Sequence, residues 1–242
     1  MASSLAEGRE MSRLYDVFKK RRVVLPVIHV ENLDQTRRNV ELARSCGVDG
    51  VFLINHGVNV LTLLSIYTTI KSAYPDFWVG LNCIGTKYKD LVRTLPTKVE
   101  GIWVDNAGIE DGVYGHIKAK QHMEQRQKAW LTGLYFGGVA FKYQPKSIRP
   151  VEHAVKAVPY VDVVTTSGEG TGLAPDISKI RGMKTAISRH PLAVASGITP
   201  ENVEEYLPYV DCFLVATGVS ISHTELSRSK LQRLMEEVYR PR

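Results

Sequence analysis

Short apolar runs alternate with longer, periodically apolar stretches along nearly the whole chain, predicting strands and helices in strict succession. The runs at 23–30, 48–57, 77–85, 99–108, 131–142, 161–167, 192–195 and 210–216 lack the in–out alternation of a strand with one wet face. Strands of that kind are buried on both sides, as in parallel sheets covered by helices. Between them, apolar residues recur three and four apart and predict helices over 32–46, 60–73, 87–95, 114–129, 148–158, 176–189, 200–207 and 224–239. Pro200 stands where a first-turn proline is tolerated, and Glu201 suits the positive end of that helix.

Eight such units fit a closed parallel barrel better than an open doubly wound sheet. The expected fold class is therefore α/β: a single (β/α)8 TIM barrel over 23–242, preceded by an extension over 1–22. Within that extension residues 1–10 are polar and expected to be disordered, while Leu14, Val17 and Phe18 predict a short helix on the barrel floor. No linker or composition break divides the chain, and its units share a rhythm but no strong sequence repeat.

Composition changes this picture little. The 242 residues match one barrel of about 250, and 44% hydrophobic with 23% charged residues is ordinary for a globular core. No apolar run approaches the roughly 18 residues of a membrane span. The first residues lack a signal-peptide core, and Glu7, Glu10 and Asp16 argue against a transit peptide. Cys46, Cys83 and Cys212 are scattered in apolar surroundings, which points to core thiols in a cytoplasmic protein. The net charge of +6 is spread out apart from a KKRR run at 19–22, read as a solvated helix end rather than a nucleic-acid contact. Nucleic acid and membrane are set aside as partners; a homo-oligomer is left open.

In such a barrel the reacting groups come from the C-terminal ends of the strands and the loops that follow. Those positions hold His29, Asn55, His56, Asn82, Asp105, Asn106, Lys142, Thr166, Ser167, Glu169, Ser196 and Thr217. Asp105 and Glu169 are the candidate acid–base carboxylates, since a partly desolvated carboxyl titrates nearer neutrality. Lys142, at the end of a long strand, can hold a phosphate or form a Schiff base. His29 completes the catalytic candidates, with His56 as a second histidine of that kind. Asn55, Asn82, Thr166 and Ser167 are candidate ligand contacts. Each has a bland alternative: a helix or loop cap for Asp105, a solvated lid residue for Glu169, an ion pair for Lys142, a satisfied structural histidine for His29.

Two turns stand out: LAVASGITPEN at 192–202 and CFLVATGV at 212–219 each end a strand in small residues and open a helix. Free N–H groups and the helix dipole favour an anion there, making Ser196, Gly197, Thr217 and Gly218 the candidate phosphate cradle. No metal-ligand spacing is found, and no metal or cofactor is expected; His116 and His122 fall on different faces of their helix. Dinucleotide, Walker and GxSxG motifs are absent.

The runs VVTTSGEGTG (163–172), PD (175–176) and ASGITPENV (195–203) with YL (206–207), together with VDGV (48–51) and VGLN (79–82), resemble the BtpA/SgcQ family. The resemblance covers most of the chain after residue 23. It implies a TIM barrel of the ribulose-phosphate-binding type with a phosphate site around Ser196, Gly197, Thr217 and Gly218. One branch of that family is linked to photosystem I biogenesis, and the resemblance brings no established catalytic residues. The chain departs from the pattern after PVIH (26–29), where a Pro-Gly-rich loop is missing, and in the abbreviated loop after Asp105.

Two functions follow as expectations. One is an enzyme on a phosphorylated sugar or nucleotide-derived metabolite, working as an isomerase, epimerase or lyase of the aldolase kind. The other is a non-catalytic barrel binding a ligand or protein as an assembly factor. Asp105 and Glu169 close together beside the anion turns favour the first; a mouth plugged by Trp103, Phe141 or Tyr143 favours the second.

Overall fold

The computed structural model describes residues 12–145 and 147–241. The disorder expected of 1–10 lies outside them. Eight parallel strands close in sequence order into one barrel: β1 (Val23–His29), β2 (Gly50–Ile54), β3 (Trp78–Asn82), β4 (Gly101–Val104), β5 (Leu134–Gly138), β6 (Val163–Ser167), β7 (Leu192–Ala195) and β8 (Cys212–Val215). Val23 of β1 pairs with Cys212 of β8, which seals the ring and leaves no open edge. The chain is a TIM barrel.

Helix α1 (Arg13–Phe18) precedes β1, and the outer layer comprises α2 (Leu33–Ser45), α3 (Val60–Ala73), α4 (Tyr88–Thr94), α5 (Ile117–Lys128), α6 (Pro150–Ala157), α7 (Ile177–Ile187), α8 (Val203–Tyr206) and α9 (Arg228–Tyr239). Local chemistry marks several starts. Asn32, Asn59, Asp176 and Ser227 each accept a backbone N–H of the first turn of α2, α3, α7 and α9. Every strand residue but Val104 is buried, which is why the strands read as unbroken apolar runs.

Two extents differ from the sequence reading. The run 131–142 yields a strand only to Gly138; Ala140 and Tyr143 take positive φ as the chain turns away, so Lys142 sits on the loop beyond β5. Pro200 lies in the turn ahead of α8, which begins at Val203 after Thr199 has accepted the Asn202 and Val203 amides.

The core has two layers. Between helices and sheet lies the larger one, including Ile70, Leu81, Tyr135 and Phe213. Inside the barrel, Phe52, Trp78, Trp103 and Phe136 form an edge-to-face cluster, with ring centroids 5.1 Å apart for Phe52 and Phe136. A side chain on Gly80 would strike the Phe52 ring, so that glycine makes room for the aromatic. The Phe18 ring of α1 packs tilted against Trp78, centroids 5.3 Å apart, and Leu14 is buried in the same cluster, so α1 closes the floor.

At the floor the same joint occurs four times. Asp49, Glu100, Asp162 and Asp211 each immediately precede an even-numbered strand, and each accepts a backbone N–H from the odd strand before it: Val24, Val79, Tyr135 and Leu192, at 2.8–2.9 Å. A cation from the segment leading into that odd strand completes each joint, namely Lys20, Lys71, Arg126 and Lys184. The shared rhythm of the sequence thus carries a fourfold structural repeat. The KKRR run belongs partly to this floor: Lys20 pairs with Asp49, and Arg22 donates to the Leu207 carbonyl.

Candidate functional site

At the opposite end the strands open into a cavity of about 300 Å3. His29, His56, Asp105, Lys142, Ser196 and Thr217 all line it, so candidates from six different strand ends share one space. Trp103 and Tyr143 form part of its wall without filling it, and Phe141 is packed into the interior core.

Asp105 follows β4 directly. Asn82, the buried last residue of β3, donates Nδ2 to Asp105 Oδ1 at 3.1 Å. Burial raises the Asp105 pKa above the usual carboxylate value, while the Asn82 hydrogen bond, then Lys142 and His56, pull it back. The result is a carboxyl held in place yet biased toward taking a proton. Gln144 ties the Asp105 carbonyl, fixing the backbone beneath.

Three imidazoles meet in the sector where β8, β1 and β2 adjoin, and His56 among them faces Asp105. His29 ends β1, His56 follows β2, and His223 comes from the segment between β8 and α9. Their offered ring atoms lie within 4.8 Å of one another. His29 Nδ1 is 3.0 Å from His223 Nε2, and the rings of His56 and His223 stack 5.4 Å apart. Burial first, then the neighbouring imidazoles His56 and His223, drive the His29 pKa down to about 4. Burial, His223 and Lys142 also lower that of His56, against Asp105. His29 is therefore neutral at pH 7, with a lone pair to share.

Buried side chains of α2 hold this sector. Gln35 Nε2 donates to the carbonyls of His29 and Thr224, and Asn39 donates to Thr224 and accepts from the Leu226 amide at 2.7 Å. Both residues are 1% exposed or less. These two buried amides thereby lock the end of β1 to the segment carrying His223.

Ser196 and Gly197 take φ of 91° and 69°, a left-handed turn after β7. The Ser196 hydroxyl donates to the Gly170 carbonyl and accepts from the Gly172 amide, so it latches the β6–α7 loop over the mouth. A Cβ on Gly197 would lie 2.0 Å from the Ala174 nitrogen, and one on Gly218 would lie 2.0 Å from the Ile198 carbonyl. Both glycines thus permit close packing of successive loops, and Thr217–Val219 forms a short 3-10 turn beside them.

The remaining candidates sit elsewhere. Glu169 and Ser167 line an adjacent cavity of about 830 Å3, to which Lys142 also contributes. The buried Ser167 hydroxyl accepts the Lys142 amide, and Thr166 donates to the Ala140 carbonyl, so both secure the loop after β5. Asn55 exchanges two hydrogen bonds with the Ile84 backbone and steadies the loop after β3. Sequence reasoning missed Lys179. It reaches from α7 into the second cavity, donating to the Ala140 and Ser167 carbonyls, and burial lowers its pKa to about 8 against the pull of Glu169. A lysine one turn into an amphipathic helix carries no signal that distinguishes it from a solvated one.

No protein-family model and no curated protein matches the sequence. Solved structures do match in fold. Phosphoribosyl anthranilate isomerase from Thermus thermophilus is 15% identical with a TM-score of 0.65, covering 90% of this chain and 98% of its own. Tryptophan synthase subunit alpha from Legionella pneumophila reaches a TM-score of 0.67 at 13% identity, covering 94% and 98%. The third is (S)-3-O-geranylgeranylglyceryl phosphate synthase from Thermoplasma acidophilum, in complex with sn-glycerol-1-phosphate. It is 16% identical with a TM-score of 0.63, again covering 94% and 98%. At these identities the likeness concerns the architecture: this chain has the same barrel.

Proposed function

We propose that the protein is an enzyme acting on a small phosphorylated metabolite, a sugar phosphate or a nucleotide-derived compound, by acid–base chemistry. The observation that carries this reading is the single cavity in which Asp105 and Lys142 face Ser196 and Thr217. The phosphate would sit against the turns after β7 and β8, at Ser196, Gly197, Thr217 and Gly218, with the reacting carbons toward Asp105. Anchoring a remote phosphate positions the substrate against the proton-transfer group. Asp105 would move the proton, and Lys142 would neutralise charge developing on an oxygen or, in an aldolase reaction, form a Schiff base. Glu169, with Lys179 in the adjoining cavity, would meet the far end of a longer substrate. Isomerase, epimerase and lyase chemistry all fit this set.

Two fold neighbours agree with the reading by their names, one an isomerase of a phosphoribosyl compound and one a synthase holding sn-glycerol-1-phosphate. We place the chain in the BtpA/SgcQ family on the motifs around Gly168 and Gly197. No helix among the described residues is long and apolar enough to cross a membrane, and the three free thiols fit a reducing compartment such as the cytoplasm. A thermal-shift screen of phosphosugars and nucleotides, repeated on Ser196→Asp and Thr217→Asp, tests the proposal. Stabilisation of the wild type that both variants lose supports it. No response from the wild type, or an equal response from the variants, defeats it.

A further inference from the structure

We propose that His29, His56 and His223 form a binding site for one divalent first-row transition ion, Zn2+ in type, at the barrel mouth. The proposal does not rest on the phosphate reading. Three observations carry it.

The first is donor chemistry. Three imidazole nitrogens, one from each of three adjacent strand sectors, converge within 4.8 Å. Imidazole suits zinc, cobalt, nickel and copper, whereas magnesium and calcium demand oxygen ligands. The second is distance. Ligand atoms about 2.05 Å from a tetrahedral zinc lie about 3.3 Å apart, and His29 Nδ1 already stands 3.0–3.2 Å from the two nitrogens of His223. The wider legs of the triangle close by side-chain rotation of His56 and His223, both exposed and both on connecting segments. The third is the support. Gln35 and Asn39 are buried amides that bind the backbone at His29 and the segment 224–226 next to His223. Such a brace fixes ligands relative to one another, as outer partners do in metal centres. It has no counterpart in the packing needs of an apolar helix–sheet layer.

Charges of both signs face the cluster. His29 meets two imidazoles and, farther off, Lys142, while Asp105 lies across from His56. Three protein ligands leave at least one position open toward the 300 Å3 cavity, where water or a substrate oxygen would bind. Open three-ligand sites are the reactive kind, so the ion would polarise the same region that Asp105 serves.

The test uses untagged full-length protein, freed of metal by chelator and titrated with Co2+ alone and with Zn2+ against a chromophoric chelator, with no phosphate compound present. One equivalent should bind with the visible absorption bands of a low-coordinate cobalt–imidazole site, unaffected by excess Mg2+. His223→Ala and His56→Ala, at exposed positions, should each weaken binding by at least about 100-fold, more than loss of an outer partner, with an unchanged urea midpoint. Equal affinity in wild type and both variants, or cobalt bound without those bands, overturns the proposal. Because phosphate compounds are excluded, failure here leaves the thermal-shift result standing, and the converse holds.

Discussion

Asn82 and Asp105, the residues closing β3 and following β4, are joined by one hydrogen bond of 3.1 Å from a buried amide to a half-buried carboxylate. Burial pushes the Asp105 pKa up and this bond opposes it. Asn82→Leu keeps the volume and removes the donor. The Asp105 pKa should then rise further, seen as a later carboxyl titration by carbon NMR or a displaced acidic limb of a pH–rate profile. An unchanged titration would show that burial alone controls the group.

Gly197 and Gly85 give a paired experiment, since their φ values are 69° and 77° but only Gly197 is crowded. Gly197→Ala should cost at least about 3 kcal/mol, because backbone strain adds to the clash with Ala174. At Gly85, where a Cβ meets nothing within 4 Å, alanine should cost about 1 kcal/mol. Urea denaturation measures both, and equal losses would refute the close packing of the β7 turn on Ala174.

His29, His122 and His190 are each held near pKa 4 by burial. In the unfolded chain they titrate near 6.5, so between pH 6.5 and 4 the unfolded state binds more protons and stability falls with acid. His122→Phe retains the stack on Tyr88, now 3.9 Å between centroids, and removes one titrating group. Its melting temperature should fall less steeply than the wild type's across that window; parallel curves would exclude a buried neutral His122.

Lys179 works at the other end of the scale. Its folded pKa of about 8 lies below the usual 10.5, so from pH 8 to 10.5 the unfolded chain holds the extra proton and stability rises. The full rise is about 3 kcal/mol from this group. In Lys179→Met that increment should vanish from the difference between the two pH–stability curves. If the difference stays constant with pH, the lysine is not the buried cation described.

Much of the fold was legible because parallel buried strands and amphipathic helices leave opposite periodicities. Helix 60–73 and strand 192–195 match residue for residue. Strand ends were overextended where apolar residues such as Val139 and Phe141 pack on beyond the last ladder bond, which is how Lys142 came to be read as a strand residue. At the mouth, rules tied to strand ends point to His29, His56 and Asp105 but stop short of His223. That residue is brought back beside His29, 194 positions away in sequence, only by the long return segment that Gln35 and Asn39 tether. Lys179 and the Ser196 latch were invisible for a related reason: each depends on where a neighbouring loop folds over, and periodicity is silent on that.

The fourfold floor joint has a consequence for how this chain can be taken apart. Each carboxylate–amide link joins an odd strand to the residue just before the next even strand, so that link lies wholly inside one β–α–β segment. Termini moved to the connections after β2, β4 or β6 cut none of the carboxylate–amide links, whereas termini placed inside α2 or α8 cut one. The barrel is thus divisible into quarters along seams that its own carboxylates mark out. Circular permutation, or duplication and fusion of such segments, has natural boundaries that the strand count alone would not reveal.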